Sequence, residues 1–149
     1  MPHAETIAPF ELMINRTINA PRERVFRAWT EAAELDRWFS PDPNYTVRTS
    51  VDLRIGGAYS IEMRKPDGQI VGAHGVYKEI HRPDRLIFTW TSLSCGDTLV
   101  EDSLVTVEFF EVEGKTQITL THQQFTTADI RDRHNHGWHA CIDHLQEVL

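Results

Sequence analysis

Two histidines sit on otherwise apolar faces of this sequence. His122 closes the alternating run Ile118, Leu120, His122, and His134 falls on the same helical stripe as Ile130, Trp138, Cys141, Ile142, Leu145, Val148 and Leu149. Facing one cavity, two such imidazoles could hydrogen-bond a ligand or serve as acid and base near neutral pH. Neither has an Asp or Glu at a spacing that would orient it, so no triad follows. The same pattern also describes core-edge histidines, each held by one backbone partner. His136, His139 and Asp143 share the opposite helix face at i, i+3 and i+7. That face is polar, it has no His-Glu-x-x-His pattern and it offers no fourth ligand, so a solvated surface is expected there, with no metal and no other cofactor. Cys141 lies on the apolar stripe with no Lys or Arg within a turn, and burial there raises a thiol pKa instead of activating it. Gly56-Gly57 and Gly72/Gly75 do not lead into a helix, so turns and sheet curvature explain them better than a phosphate loop.

These residues need elements to position them. Phe10 to Asn19 alternates Leu12, Ile14 and Thr17/Ile18 with polar neighbours, as a strand does. Pro21 suits the first position of a helix whose apolar side is Val25, Phe26 and Trp29. Thr30 and Glu31 then open a second short helix burying Leu35, Trp38 and Phe39, and Pro41-Asp42-Pro43 stops it. Five strands are expected next: Ala58 to Arg64, Ile70 to Ile80, Leu86 to Ser92, Ser103 to Val112 and Thr116 to Gln123. Their connections are the turn at Pro66-Asp67-Gly68, the turn at Arg82-Pro83-Asp84, a loop from Ser94 to Glu101, and the turn at Gly114-Lys115. Short connections require antiparallel neighbours. The pattern Thr126-x-x-Asp129 starts a last helix from about Thr127 to Leu149. Gly137 in its middle reads equally as a close approach to a strand or as a kink. An antiparallel sheet with one long amphipathic helix buries the helix on its apolar face.

The chain has 149 residues and a formal net charge of −7. That length makes one domain with one core. The charge repels polyphosphate and anionic lipid, so nucleic acid and membrane surfaces are excluded as partners. Eight histidines, all protonated, would bring the charge to about +1, so solubility should fall in mild acid. No apolar run is long enough to span a bilayer, and MPHAETIAPFELMINRTI has neither a basic start nor a continuous apolar stretch for a secretory leader. Cys95 and Cys141 are too few for a disulfide framework, and two free thiols point to a reducing, cytoplasmic setting.

Several segments resemble one family in the right order. Val25-Phe26-Arg27-Ala28-Trp29-Thr30 running on to Leu35-Asp36-Arg37-Trp38-Phe39 is similar to the helix pair of the SRPBCC (START/Bet v 1-like) superfamily. More narrowly it resembles the group named after the C-terminal domain of the activator of Hsp90 ATPase (AHSA1). Arg54-Ile55-Gly56-Gly57-Ala58-Tyr59, Gly75-Val76-Tyr77, Arg82-Pro83-Asp84-Arg85-Leu86 and Phe88-Thr89-Trp90 resemble its strand motifs, and His136-Gly137-Trp138 with Leu145 its C-terminal helix. The resemblance spans about Phe10 to Leu149. It implies an α+β helix-grip fold of order β-α-α-β-β-β-β-β-α, in which a curved antiparallel sheet wraps the long C-terminal helix and encloses a cavity that the two short helices help to close.

Strand and helix parity then nominate the cavity wall: Trp38, Tyr59, Ile61, Met63, Tyr77, Phe88, Trp90, Val105, Val107, Leu120, His122, His134, Trp138, Cys141, Ile142 and Leu145. The parity of the strand holding His74, Gly75, Val76 and Tyr77 is ambiguous, and a filled core is the competing reading of the whole set. The expected function is binding of a small apolar or aromatic molecule. A cyclase, aromatase or hydrolase-like enzyme using His122 or His134 is the alternative, and a chaperone-associated interaction domain is the third reading. For that third reading, 149 residues leave no room for the co-chaperone's separate Hsp90-binding domain. Trp29, Trp38, Trp90 and Trp138 allow a homodimer interface if exposed, against a monomer if they pack inside.

Overall fold

A computed structural model describes residues 9–149, so the first half of the N-terminal leader reading lies outside the described residues. Strand β1 (Phe10–Ile18) buries Leu12, Ile14 and Ile18. Pro21 is the extended cap of helix α1 (Arg22–Thr30), which buries Val25, Phe26, Ala28 and Trp29. Helix α2 (Ala32–Trp38) follows a cap at Glu31, not at Thr30. Thr30 is unavailable because its hydroxyl donates back to the Phe26 carbonyl at 2.9 Å. The indole N–H of Trp38 donates to the Ala28 carbonyl at 2.9 Å and fixes α2 on α1.

Six strands come next: β2 (Thr46–Val51), β3 (Ala58–Arg64), β4 (Ile70–His81), β5 (Arg85–Ser94), β6 (Asp97–Val112) and β7 (Lys115–Phe125). One antiparallel sheet of order β1-β7-β6-β5-β4-β3-β2 results. The α+β helix-grip class holds, with β2 as a seventh strand. β2 escapes sequence reading because Val47 and Val51 are diluted by Thr46, Arg48, Thr49 and Ser50, and because an edge strand needs only one partner. The expected loop from Ser94 to Glu101 is instead a tight hairpin. Cys95 (φ 53°) and Gly96 (φ 91°) both take the left-handed conformation of a two-residue turn, with Ser94 opposite Asp97.

β4 resolves with Ala73 and Tyr77 inward, and a bulge at Lys78 lets Ile80 also reach the core. Gly75 lies between them because a Cβ there would stand 2.0 Å from the Thr89 carbonyl oxygen. Helix α3 (Ala128–Val148) is capped by Thr127, one residue after the expected Thr126, whose hydroxyl accepts from Ile130 N–H at 3.2 Å. Its buried side is His134, Trp138, Cys141, Ile142 and Leu145. α1 and α3 press on β1, β6 and β7, while α2 covers β2. All four tryptophans are buried, which removes them from any interface.

Candidate functional site

A cavity of about 200 Å³ opens between β3–β5 and the N-terminal half of α3. Met63, Val71 and Gly72 form its sheet side with Trp90 and Ser92 of β5, and His134, Gly137, Trp138 and Cys141 form its helix side. Phe39 and Pro41, just after α2, stand at one end. A separate void of about 20 Å³ lies deeper, against Trp29, Leu35, Tyr59, Ile61, Tyr77 and Phe88. Phe39 and Trp90 belong to both walls, with ring centroids 6.1 Å apart, and so partition the two spaces.

The nominated residues therefore divide three ways. Met63, Trp90, His134, Trp138 and Cys141 line the open cavity, and Tyr59, Ile61, Tyr77 and Phe88 join Trp90 around the void. Trp38, Val105, Val107, Leu120, His122, Ile142 and Leu145 border neither space and pack as solid core, each at most 1% exposed. The reason is topological. Parity identifies the concave face of the sheet, but α1 and α3 fill that face over β6 and β7. Among the described residues, only the β3–β5 side, roofed by the α2–β2 connection and the start of α3, is left partly open. Sequence reasoning missed Phe39, Gly137 and Ser92 as wall residues. Gly137 carried a signal, since glycine in a helix interior needs a reason. It is neither a close approach nor a break: a Cβ there would meet nothing within 4 Å, and α3 runs through it.

The partners of the two histidines fix the tautomer of each. The indole N–H of Trp138 donates to His122 Nδ1 at 3.0 Å. Indole nitrogen can only donate, so Nδ1 carries no proton and the ring is neutral with its hydrogen on Nε2. That hydrogen goes to Ser103 Oγ at 2.8 Å, and the Ser103 hydroxyl donates in turn to the Trp90 carbonyl at 2.6 Å. His134 is the other tautomer: Nδ1–H donates to the Ile130 carbonyl at 2.9 Å, and Nε2 accepts from the Ser92 hydroxyl at 3.0 Å. Burial lowers the His122 pKa well below the usual imidazole value, with His134 adding to the effect. Burial lowers that of His134 too, partly opposed by its bond to Ile130. The rings stand edge to face with centroids 5.4 Å apart. Burial raises the Cys141 thiol and brings the Tyr77 hydroxyl to about 12, so both stay protonated at neutral pH.

Outside this site, Asp143 of the polar helix face is held by the Arg16 guanidinium at 2.7 Å, with His139 3.4 Å from the same group. Among the described residues no cluster of three or more His, Cys, Asp or Glu has metal-binding geometry. A wider groove of about 820 Å³ runs along the outer sheet face past Ser60, His74, Thr89 and Asp102, whose side chains are polar and solvated. Among the described residues no helix is long and apolar enough to cross a membrane.

The fold and this cavity can be set beside known proteins. The family described as activator of Hsp90 ATPase homolog 1-like protein matches residues 19–149. The chain belongs to that family. Among solved structures, this AHSA1-like chain is similar to a Nitrosomonas europaea protein at 29% identity and TM-score 0.75, covering 93% of each chain. A Chromobacterium violaceum protein is 23% identical with TM-score 0.81, over 93% of this chain and 95% of that one. An AHSA1 protein from Silicibacter pomeroyi is 22% identical with TM-score 0.80, over 93% and 96%. The last two likenesses show the shared fold. No curated protein matches the chain significantly.

Proposed function

We propose that this AHSA1-like protein binds a small apolar molecule, about the size of one substituted ring, in the cavity between β3–β5 and α3. Size supports the class. A dry apolar cavity of about 150 Å³ takes benzene, and this one is about 200 Å³. Polarity supports it as well, because Ser92 and His134 are hydrogen-bonded to each other and Arg133 is paired with Asp129 at 3.2 Å.

The observation that carries the reading is Gly137. Glycine inside a helix costs roughly 1 kcal/mol relative to alanine. No neighbour would object to a Cβ at this position, and the space in front of it is the cavity. A Gly137→Ala substitution should therefore raise folding stability by up to ~1 kcal/mol while weakening the ligand. The experiment is a thermal-shift screen of one- to three-ring apolar compounds on both proteins. A ligand at 100 times its Kd adds about 2.7 kcal/mol, several degrees for this size. One-ring hits that shrink in the variant support the proposal. No hit, or hits that Gly137→Ala leaves untouched, reject it.

One distance favours a second, enzymatic reading. Ser92 Oγ and His134 Nε2 at 3.0 Å, with His134 oriented by the Ile130 carbonyl, have the layout of a nucleophile and its base. A hydrolase-like member should lose turnover of a bound ester by roughly 10²–10⁴ in His134→Ala, whereas a binder has no turnover to lose.

A further inference from the structure

The void behind Phe39 is lined almost entirely by aromatic rings, yet it contains a chemical inconsistency. Among the described residues, the buried indole N–H groups of Trp29 and Trp90 have no hydrogen-bond partner, and both residues line this void. These residues are 4% and 6% exposed, so bulk water does not serve them. A buried donor left unmade costs about 1–3 kcal/mol, and natural proteins keep few of them without a reason. The other tryptophans in this core are satisfied: Trp38 donates to the Ala28 carbonyl and Trp138 to His122. Both residues that carry an unmet donor therefore line the internal space that Phe39 and Trp90 divide from the open cavity.

We infer that the void is the inner chamber of the binding site, and that the ligand is an apolar ring carrying a neutral hydrogen-bond acceptor, such as a carbonyl oxygen, on its leading edge. The outer cavity receives the hydrocarbon body. Phe39 turns aside at the end of α2, and the acceptor comes to the indole donors of Trp90 and Trp29. A neutral acceptor fits better than a carboxylate. Trp29, Leu35, Tyr59, Ile61, Tyr77 and Phe88 place no cation at the void, so a charge brought there would stay unpaired at a cost of several kcal/mol. The size of the void, about 20 Å³, admits one water at most while Phe39 is in place. With Phe39 in place the acceptor chamber is thus too small for a ligand group. This inference rests on the cavity reading above and adds the chemistry of the ligand to it.

The test compares two one-ring probes with one carbon frame, ethylbenzene and acetophenone, by calorimetry on the wild type, Trp90→Phe and Trp29→Phe. Water solvates a ketone better than a hydrocarbon, so a purely apolar pocket prefers ethylbenzene. An indole donor reverses that order. The expected result is at least a tenfold preference of the wild type for acetophenone, reduced to near parity or reversed in Trp90→Phe or Trp29→Phe, with ethylbenzene bound by the variants as by the wild type. If both probes bind the wild type equally, or ethylbenzene more tightly, the acceptor chamber is refuted and the apolar cavity stands. A ketone preference that survives in both variants gives the donor role to another group, such as the Tyr77 hydroxyl, and also overturns the assignment. If neither probe binds, the cavity reading falls and this inference falls with it.

Discussion

Lowering the pH from 7.5 to 5.5 should remove on the order of 1 kcal/mol of folding stability through His122 alone. The folded ring is held neutral by geometry as well as by burial. A proton on Nδ1 would set one N–H donor against another, that of Trp138, at 3.0 Å. No carboxylate is among the ring's hydrogen-bond or ring-stacking partners, which are Ser103, Trp138, Trp90, Phe125 and His134. In the unfolded chain the same imidazole titrates near 6.5. At pH 5.5 the unfolded state therefore gains RT ln(1 + 10), on the order of 1 kcal/mol, from a proton the folded ring resists. The sign is that of a depressed base: the stability is present above about 6.5 and is lost as pH falls below it. His134 acts in the same direction and by less, because the Ser92 hydroxyl can turn to accept from a protonated Nε2.

Urea unfolding followed by tryptophan fluorescence at pH 7.5, 6.5 and 5.5, on the wild type and His122→Gln, separates this contribution from every other titration in the chain. The variant should lose on the order of 1 kcal/mol less than the wild type over that interval. Imidazole nitrogen shifts give an independent check in the wild type, where His122 should remain the neutral Nε2–H tautomer at pH 5.5. A His122 signal that titrates near 6.5 in the folded protein, or identical pH slopes for the two proteins, would refute the assigned network.

Two further outcomes follow from the cavity and the sheet. Phe39→Ala should lower stability by about 3–5 kcal/mol and, by removing the partition, raise the largest ring system bound from one ring to two in the same thermal-shift screen. An unchanged size limit would count against the partition. Gly75→Ala should destabilise by about 1–3 kcal/mol, because its Cβ would stand 2.0 Å from the Thr89 carbonyl oxygen. A melting temperature within a degree of the wild type would show that β4 can shift to accept it.

Much of the architecture was legible because it is local. The alternation Tyr59, Ile61, Met63 locates β3 to the residue, and the turn residues 66–68 and 82–84 locate the hairpins around β4. The apolar stripe of α3 predicts its buried side, His134, Trp138, Cys141, Ile142 and Leu145. Failures occurred where two signals compete. Cys95-Gly96 makes a two-residue turn although cysteine is not a usual residue for positive φ, so polar surroundings suggested a loop. The site was legible only to the level of a face. Val105 and Met63 both point inward on alternating strands, and whether an inward side chain meets a helix or a cavity depends on where α1 and α3 lie. That is set by packing across elements distant in the chain, and no single strand's pattern carries it.

The buried polar chain from Trp138 through His122 and Ser103 to the Trp90 carbonyl links the filled half of the core to the open half. By stability alone it has no advantage, since apolar groups of the same shape are often as good or better in such places. What it supplies is position. Trp138 of the helix wall and Trp90 of the sheet wall pack directly on each other, ring centroids 5.0 Å apart, beside the cavity, one anchored through its indole nitrogen and the other through its backbone carbonyl. Anchoring both fixes where the helix meets the sheet, and so the width of the cavity that opens beside that contact. A network that sets that width has a reason to be polar, because hydrogen bonds have direction and dispersion contacts do not. The histidine that sequence reasoning placed in the cavity thus stands behind its wall, and its hydrogen bonds hold the wall in place.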